Sequence, residues 1–254
     1  MFLLEIKNLT KYFGGLTAVN KLDFKVSEGE ILALIGPNGA GKSTFFIFFT
    51  SYFNHSKGTI IFNGKNITNL KTYQIAQLGI VRTFQKTKVF MDISVSQNIN
   101  ISHHLRCQTN IWEQFIFNSK AQKEEQEIIK STDEIMEYIG LLPYKNEQAK
   151  NLPHGILRLL EIGIALAVKP KLLLLDEPFT GMNPSETTKV MEIVRSINKA
   201  GITIILVEHN MPAVMAISDR IIVMNFGNKI AEGKPNEILK NDKVIEAYLG
   251  KDIE

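Results

Sequence analysis

The unbroken apolar run Ile31-Leu32-Ala33-Leu34-Ile35 leads directly into Gly36-Pro37-Asn38-Gly39-Ala40-Gly41-Lys42-Ser43-Thr44, and this junction constrains the chain more than any other feature. A run of that kind reads as a buried strand, and G-x-x-x-x-G-K-[ST] behind it reads as a phosphate-binding loop. Glycine is needed there because the backbone must wrap closely around an anion with its N–H groups turned inward. Gly36, Asn38, Gly39, Gly41, Lys42, Ser43 and Thr44 then form the cradle. Lys42 neutralises the outer phosphates, Ser43 offers a hydroxyl to Mg²⁺, and the helix starting near Lys42 presents its positive end to the same site. A glycine-rich surface turn is the alternative, but a strand before the loop and an apolar helix after it are what phosphate binding requires. The loop implies a nucleoside triphosphate ligand.

The chain has 254 residues, 44% of them hydrophobic, enough to bury the core of one large domain, and no separate second domain is expected. Its formal net charge of +3 comes with no stripe of lysine and arginine interleaved with aromatics, which argues against a nucleic-acid partner. Cys107 is the only cysteine, so a disulfide within the chain is excluded and a thiolate metal site is not expected. Met1-Phe2-Leu3-Leu4-Glu5-Ile6-Lys7 lacks the basic start and long apolar centre of a secretion signal. The most lipid-like stretch, residues 45–53 (FFIFFTSYF), falls far short of the roughly 20 residues of a membrane helix. It is read instead as the enclosed helix behind the phosphate loop, in a protein that stays in the cytosol.

Short strands, residues 22–26 and 59–62 among them, give way to helical character from about residue 72 to 159. Within that stretch residues 119–137 are amphipathic, with Ile128, Ile129, Ile135 and Met136 set among Lys and Glu. After Lys169-Pro170 strands and helices alternate: 172–175, a helix from Pro184, 202–207, a short helix near Met211, then 220–224. Such alternation argues for a parallel sheet covered on both faces.

Leu172-Leu173-Leu174-Leu175-Asp176-Glu177 is the second strong signal, because an apolar strand ending in two carboxylates is costly unless a cation or substrate meets them. Asp176 is placed to hold the Mg²⁺ shell, through water. Glu177, turned elsewhere by strand alternation, is the candidate general base for an attacking water. The strand at 202–207 ends in Glu208-His209-Asn210, and a histidine just past the carboxyl end of a parallel strand lies on the ligand side of such a sheet. His209 can therefore donate a hydrogen bond to the terminal phosphate. Gln85, behind Ile80-Val81-Arg82-Thr83-Phe84, is an amide able to touch both Mg²⁺ and water.

These pieces in this order resemble the ATP-binding-cassette family over essentially the whole chain, which implies ATP with Mg²⁺ as the bound pair. The implied fold is α/β, a P-loop NTPase with a mostly parallel central sheet, an N-terminal antiparallel β region and an inserted helical subdomain at about 86–160. The resemblance makes residues 1–254 a single cassette domain. It puts Phe13, otherwise read as a core residue, where the family stacks an aromatic on adenine. Gln85 matches the glutamine loop, Leu152-Pro153-His154-Gly155-Ile156 the signature sequence, Thr180-Gly181-Met182-Asn183 the loop after the second carboxylate, and His209 the switch histidine. Phe13-Gly14-Gly15-Leu16-Thr17-Ala18-Val19, Val81-Arg82-Thr83-Phe84-Gln85, Glu208-His209-Asn210-Met211 and Ala247-Tyr248-Leu249-Gly250 resemble the ATPase subunits of branched-chain amino acid importers. Those of urea importers are close relatives.

The signature departs from the family's Leu-Ser-Gly-Gly-Gln. Pro153 supplies neither a serine hydroxyl nor a backbone N–H, and Ile156 cannot bond as a glutamine amide does. Because the family's signature faces ATP held by the other member of a head-to-tail pair, Pro153, His154 and Gly155 serve the partner's nucleotide. A heterodimer of cassettes with unequal sites is therefore expected, a homodimer being the alternative, docked on transmembrane permease subunits at the inner face of the cell membrane. A soluble assembly ATPase of the same fold and a degenerate nucleotide-binding subunit are the rival readings. Ser51 and Gln97 also stand where relatives commonly carry glycine and glutamate; neither removes a catalytic group.

Overall fold

A computed structural model of the chain describes residues 1–50, 56–83, 89–103 and 119–249. The chain divides into two compact units, one of residues 1–82 with 171–254 and one of residues 83–170.

The first unit holds two sheets. Strands β1 (Phe2–Phe13), β2 (Leu16–Ser27), β4 (Lys57–Phe62) and β5 (Lys65–Asn66) pair antiparallel in the order β2-β1-β4-β5. Residues 22–26 of β2 alternate buried and exposed, as a strand with one covered face must. The second sheet runs β10-β9-β3-β8-β7-β6, built from β3 (Ile31–Ile35), β6 (Ile80–Arg82), β7 (Leu172–Asp176), β8 (Thr203–Val207), β9 (Arg220–Asn225) and β10 (Asn228–Gly233). All its neighbours pair parallel except β10 with β9. Every residue of β3, β7 and β8 is buried, so these strands are covered on both faces and their sequences are correspondingly apolar throughout.

Helix α1 (Lys42–Thr50) follows the phosphate loop, and its Phe45 and Phe46 are fully buried. Phe45 lies 5.4 Å from Phe24 of β2 and meets Phe49 edge-on at 5.3 Å, so the aromatic run closes a core shared by the two sheets. Ser51 and the rest of the lipid-like stretch lie outside the described residues, as does Cys107. The unit also contains α2 (Thr72–Gln77), and among the described residues no helix is long and apolar enough to cross a membrane.

The second unit is helical: α3 (Val95–His103), α4 (Ser119–Tyr138) and α5 (His154–Ala167). Gly163 lets them approach. A Cβ there would come 2.8 Å from Ile139 Cδ1 and 3.2 Å from Ile99 Cδ1. The unit runs from Thr83 to Pro170, so a segment ending at residue 160 would cut α5 in mid-helix.

The chain closes, in the first unit, with α6 (Pro184–Lys199), α7 (Met211–Ile217), α8 (Pro235–Ile238) and α9 (Asp242–Leu249). The register places Asp176 beside Val207, and Val207 beside Leu34. The carboxyl ends of β3, β7 and β8 therefore open side by side at one edge, where sheets of this kind take their ligands.

Candidate functional site

The phosphate loop is shaped by backbone crowding on one side and space on the other. Gly36 (φ 151°) has no room for a side chain, since a Cβ would come 2.1 Å from the Met224 carbonyl oxygen of β9. At Gly41 (φ 100°) a Cβ would meet the Ala18 oxygen at 2.3 Å. Gly39 (φ 79°) faces open space, so its conformation alone demands glycine. Asn38, Gly39 and Ser43 are exposed on that open side, with Gly41 and Thr44 half-buried. Lys42 is buried and donates from Nζ to the carbonyls of Gly36 (2.7 Å) and Pro37 (2.9 Å). Burial lowers its pKa, and the nearby carboxylate of Glu177 pulls the other way.

Asp176 ends β7 almost fully buried, with its Oδ2 2.7 Å from Arg82 Nη2. The guanidinium lies 5.2 Å from the centre of the Phe46 ring, so the carboxylate has a cation of the sheet's own beside it. Sequence spacing could not find this partner, which sits 94 residues away on β6, a neighbouring strand.

Glu177 leaves the strand by a different route from the one expected. Strand pairing stops at Asp176, and Glu177 takes a left-handed backbone (φ 50°), so a sharp turn rather than strand alternation redirects its side chain. Such a conformation is costly for a residue with a side chain and is held by its surroundings. Here the Glu177 N–H donates to Val207 O at 2.9 Å, Thr180 N–H to Glu177 O at 3.3 Å, and Thr180 Oγ1 to Oε2 at 3.4 Å. Glu177 Oε1 lies 3.1 Å from Nε2 of His209, which joins the two residues in one hydrogen-bonded pair. With the carboxylate ionised, Nε2 must carry the proton.

Glu208, which sequence reasoning passed over, is buried at the end of β8. Its Oε1 accepts from Phe179 N–H (2.7 Å) and its Oε2 from the N–H groups of His209 (2.8 Å) and Asn210 (3.0 Å). Tyr248 of α9, read from the sequence only as part of the C-terminal tail, stays 41% exposed; partial burial pushes its phenol up, offset in part by a hydrogen bond from the Gly36 backbone. Only the fold joins positions so far apart in the chain.

Phe13, at the end of β1, is exposed, with Lys11 Nζ 5.0 Å from its ring centre. Gln85 lies outside the described residues. In the helical unit Pro153 is the N-cap of α5 with no side-chain cap hydrogen bond, Pro153 and His154 are exposed, and Gly155 is buried. Among the described residues no group of three or more His, Cys, Asp or Glu could hold a metal. The hard oxygen donors at the loop, the Ser43 hydroxyl and the Asp176 carboxylate, are of the type Mg²⁺ takes together with phosphate oxygens.

Residues 19–180 match the ABC transporter family, and residues 228–254 match the branched-chain amino acid ATP-binding cassette transporter family. The chain is 40% identical over 250 residues to the high-affinity branched-chain amino acid transport ATP-binding protein LivG of Salmonella typhimurium, covering 98% of each. Against BraF of Pseudomonas aeruginosa, which carries the same description, identity is 36% with the same coverage. Its fold superposes on a nucleotide-free ATP-binding cassette from an ABC transporter with a TM-score of 0.87, at 30% identity over 99% of this chain and 100% of that one. A cassette in its ADP conformation gives 0.86 at 31% identity, with the same coverage. A match across the phosphate loop and both carboxylates, and relatives aligned end to end, establish that the chain belongs to the ABC transporter family, as one of its ATP-hydrolysing cassettes.

Proposed function

We propose that this cassette powers a branched-chain amino acid importer, and that it does so with Lys42, Asp176, Glu177 and His209 as the groups acting on ATP. The observation that carries the reading is the 3.1 Å pairing of Glu177 with His209 at the strand edge that also presents the phosphate loop.

On nucleotide binding Lys42 gives up the carbonyls of Gly36 and Pro37 and donates to the outer phosphates, recovering in charge pairing what burial costs it. Gly36, Asn38, Gly39, Gly41, Ser43 and Thr44 wrap the phosphates, and Phe13 stacks on the base from its exposed position at the end of β1. The Ser43 hydroxyl, Gln85 and, through water, Asp176 would hold Mg²⁺, which would neutralise phosphate charge there. Glu177 orients the attacking water and takes its proton, while His209 turns its Nε2–H from the Glu177 carboxylate toward the γ-phosphate once ATP is bound.

The signature residues Pro153, His154 and Gly155 are read as meeting ATP held by a second cassette, and their altered chemistry supports a heterodimer with unequal sites. The pair docks on permease subunits at the inner face of the membrane. The names of the curated relatives support the amino acid substrate class.

The test is reconstitution of the chain with its partner cassette, permease and binding protein in vesicles. Leucine, isoleucine or valine on the binding protein should stimulate ATP hydrolysis and enter the vesicles. Stimulation by urea instead would move the substrate assignment, and hydrolysis indifferent to any permease would favour a soluble assembly ATPase.

A further inference from the structure

We infer that Glu208 is a positioning residue for ATP hydrolysis: a buried carboxylate that ties the loop carrying Glu177 to the loop carrying His209. The inference rests on the reading of Glu177 and His209 as the hydrolytic pair.

Glu208 is 1% exposed, and each of its oxygens is spent on backbone amides. One oxygen holds Phe179, two residues beyond Glu177. The other holds His209 itself and Asn210, whose own side chain accepts from Ala213 N–H to start α7. The carboxylate therefore spans two loops that are also joined by the backbone bond from Glu177 to Val207 and by the pairing of Glu177 with His209. A carboxylate is the side chain for this task because all three partners are donors and it accepts at every lone pair. An amide cannot replace it. In Gln one terminal atom is an NH₂, which must face either Phe179 N–H or the His209 and Asn210 pair, so one loop is always released. The side chains of Glu177 and His209 inherit any drift of their loops, and a shift of about 1 Å in a reacting group costs on the order of 100-fold in rate.

The experiment compares the full chain and its Glu208→Gln, Glu208→Asp, His209→Ala and Glu208→Gln/His209→Ala variants, each assembled with its partner cassette and permease. Glu208→Gln is expected to lower kcat by at least about 10-fold while KM for ATP stays within about twofold, because the phosphate loop is untouched. Glu208→Asp keeps the charge but lacks the reach to hold both loops, and should lose a similar factor. The double variant should lose less than the product of the two single losses, since part of the effect of Glu208 runs through the placement of His209 and part through that of Glu177. Losses that multiply, an unchanged kcat, or a change confined to KM would overturn the proposal. So would failure of both single variants to fold, which would assign Glu208 to the core. Amide hydrogen exchange is read in parallel: Glu208→Gln should expose the Phe179 amide or those of His209 and Asn210, and undiminished protection at all three counts against the clamp. If the unaltered assembly hydrolyses no ATP, the hydrolytic reading itself fails, and the exchange data still decide whether Glu208 clamps the loops.

Discussion

The helices that follow the reacting groups and the helix that carries the signature begin in opposite ways. Behind Glu177, α6 starts at Asn183, whose side chain accepts from Glu186 N–H at 3.0 Å while Glu186 Oε2 accepts from Asn183 N–H at 3.0 Å, with Pro184 at the first helical position. Behind His209, α7 starts at Asn210, which accepts from Ala213 N–H at 3.2 Å. In the helical unit α5 starts at Pro153, which stiffens the entry but has no side-chain oxygen to offer the first turn. The amides that end the catalytic loops are thus satisfied within the chain, whereas the signature helix keeps its positive end without such a cap. The chain pins the groups proposed to act on its own nucleotide more firmly than the groups proposed to meet its partner's.

The sharpest way to break that comparison is to disable the pinned side. Glu177→Gln keeps shape and removes the base, so hydrolysis at the loop of this chain should fall by roughly 10²- to 10⁴-fold while ATP still binds. Single-turnover rates on the proposed heterodimer, with the equivalent partner variant beside it, measure this. Equal loss from either variant would erase the proposed asymmetry.

The converse change repairs the unpinned side. Pro153→Ser with Ile156→Gln restores a hydroxyl cap and an amide, and the partner's site should turn over several-fold faster. Serine regains about 1 kcal/mol of capping but gives up proline's rigidity, worth a similar amount, so thermal stability should hardly move. A faster partner site with an unchanged melting temperature separates a signature effect from a folding effect.

What the sequence disclosed and what it hid divide along physical lines. The phosphate loop, β7 and β8 were legible because a strand buried on both faces must be apolar throughout, and because glycines are forced where backbone meets backbone, as Gly36 meets Met224. The left-handed turn at Glu177 was not legible: nothing in the letters Asp-Glu-Pro tells strand alternation from a turn that the Val207 carbonyl holds in place. Arg82 and Glu208 were passed over for a related reason. Each acts through contacts made across strands, 94 and 29 residues along the chain, and side-chain reach of that kind has no periodicity to detect.

A smaller effect tests the capping itself. Asn183→Ala removes the acceptor for Glu186 N–H and should cost about 1 kcal/mol, lowering the melting temperature by roughly 2–4 °C for a domain of this size. The same replacement at Pro153 removes no side-chain bond and should cost less. A larger loss at Pro153 would contradict the contrast between the helix starts.

The smallest effect expected lies at Lys42, where pinning is bought against burial. In the nucleotide-free protein burial holds the lysine's pKa below the ordinary 10.5. The folded chain therefore gives up that proton at lower pH than the unfolded chain does. Between the lowered value and 10.5 the unfolded state binds more protons, so stability rises with pH across that window, and below it the cost of the buried charge is present in full. Lys42→Met has no such cost. Its melting temperature minus that of the unaltered protein should thus be largest near neutral pH and shrink as pH climbs toward 10.5. Glu177 opposes the burial, so in a Glu177→Gln background the lysine's value drops further and the shrinkage should begin at lower pH. A difference that grows with pH would mean the Gly36 and Pro37 carbonyls outweigh burial, leaving the ammonium stabilised in place. The loop would then be set for phosphate before any arrives, and Lys42 would have no burial cost for nucleotide binding to relieve.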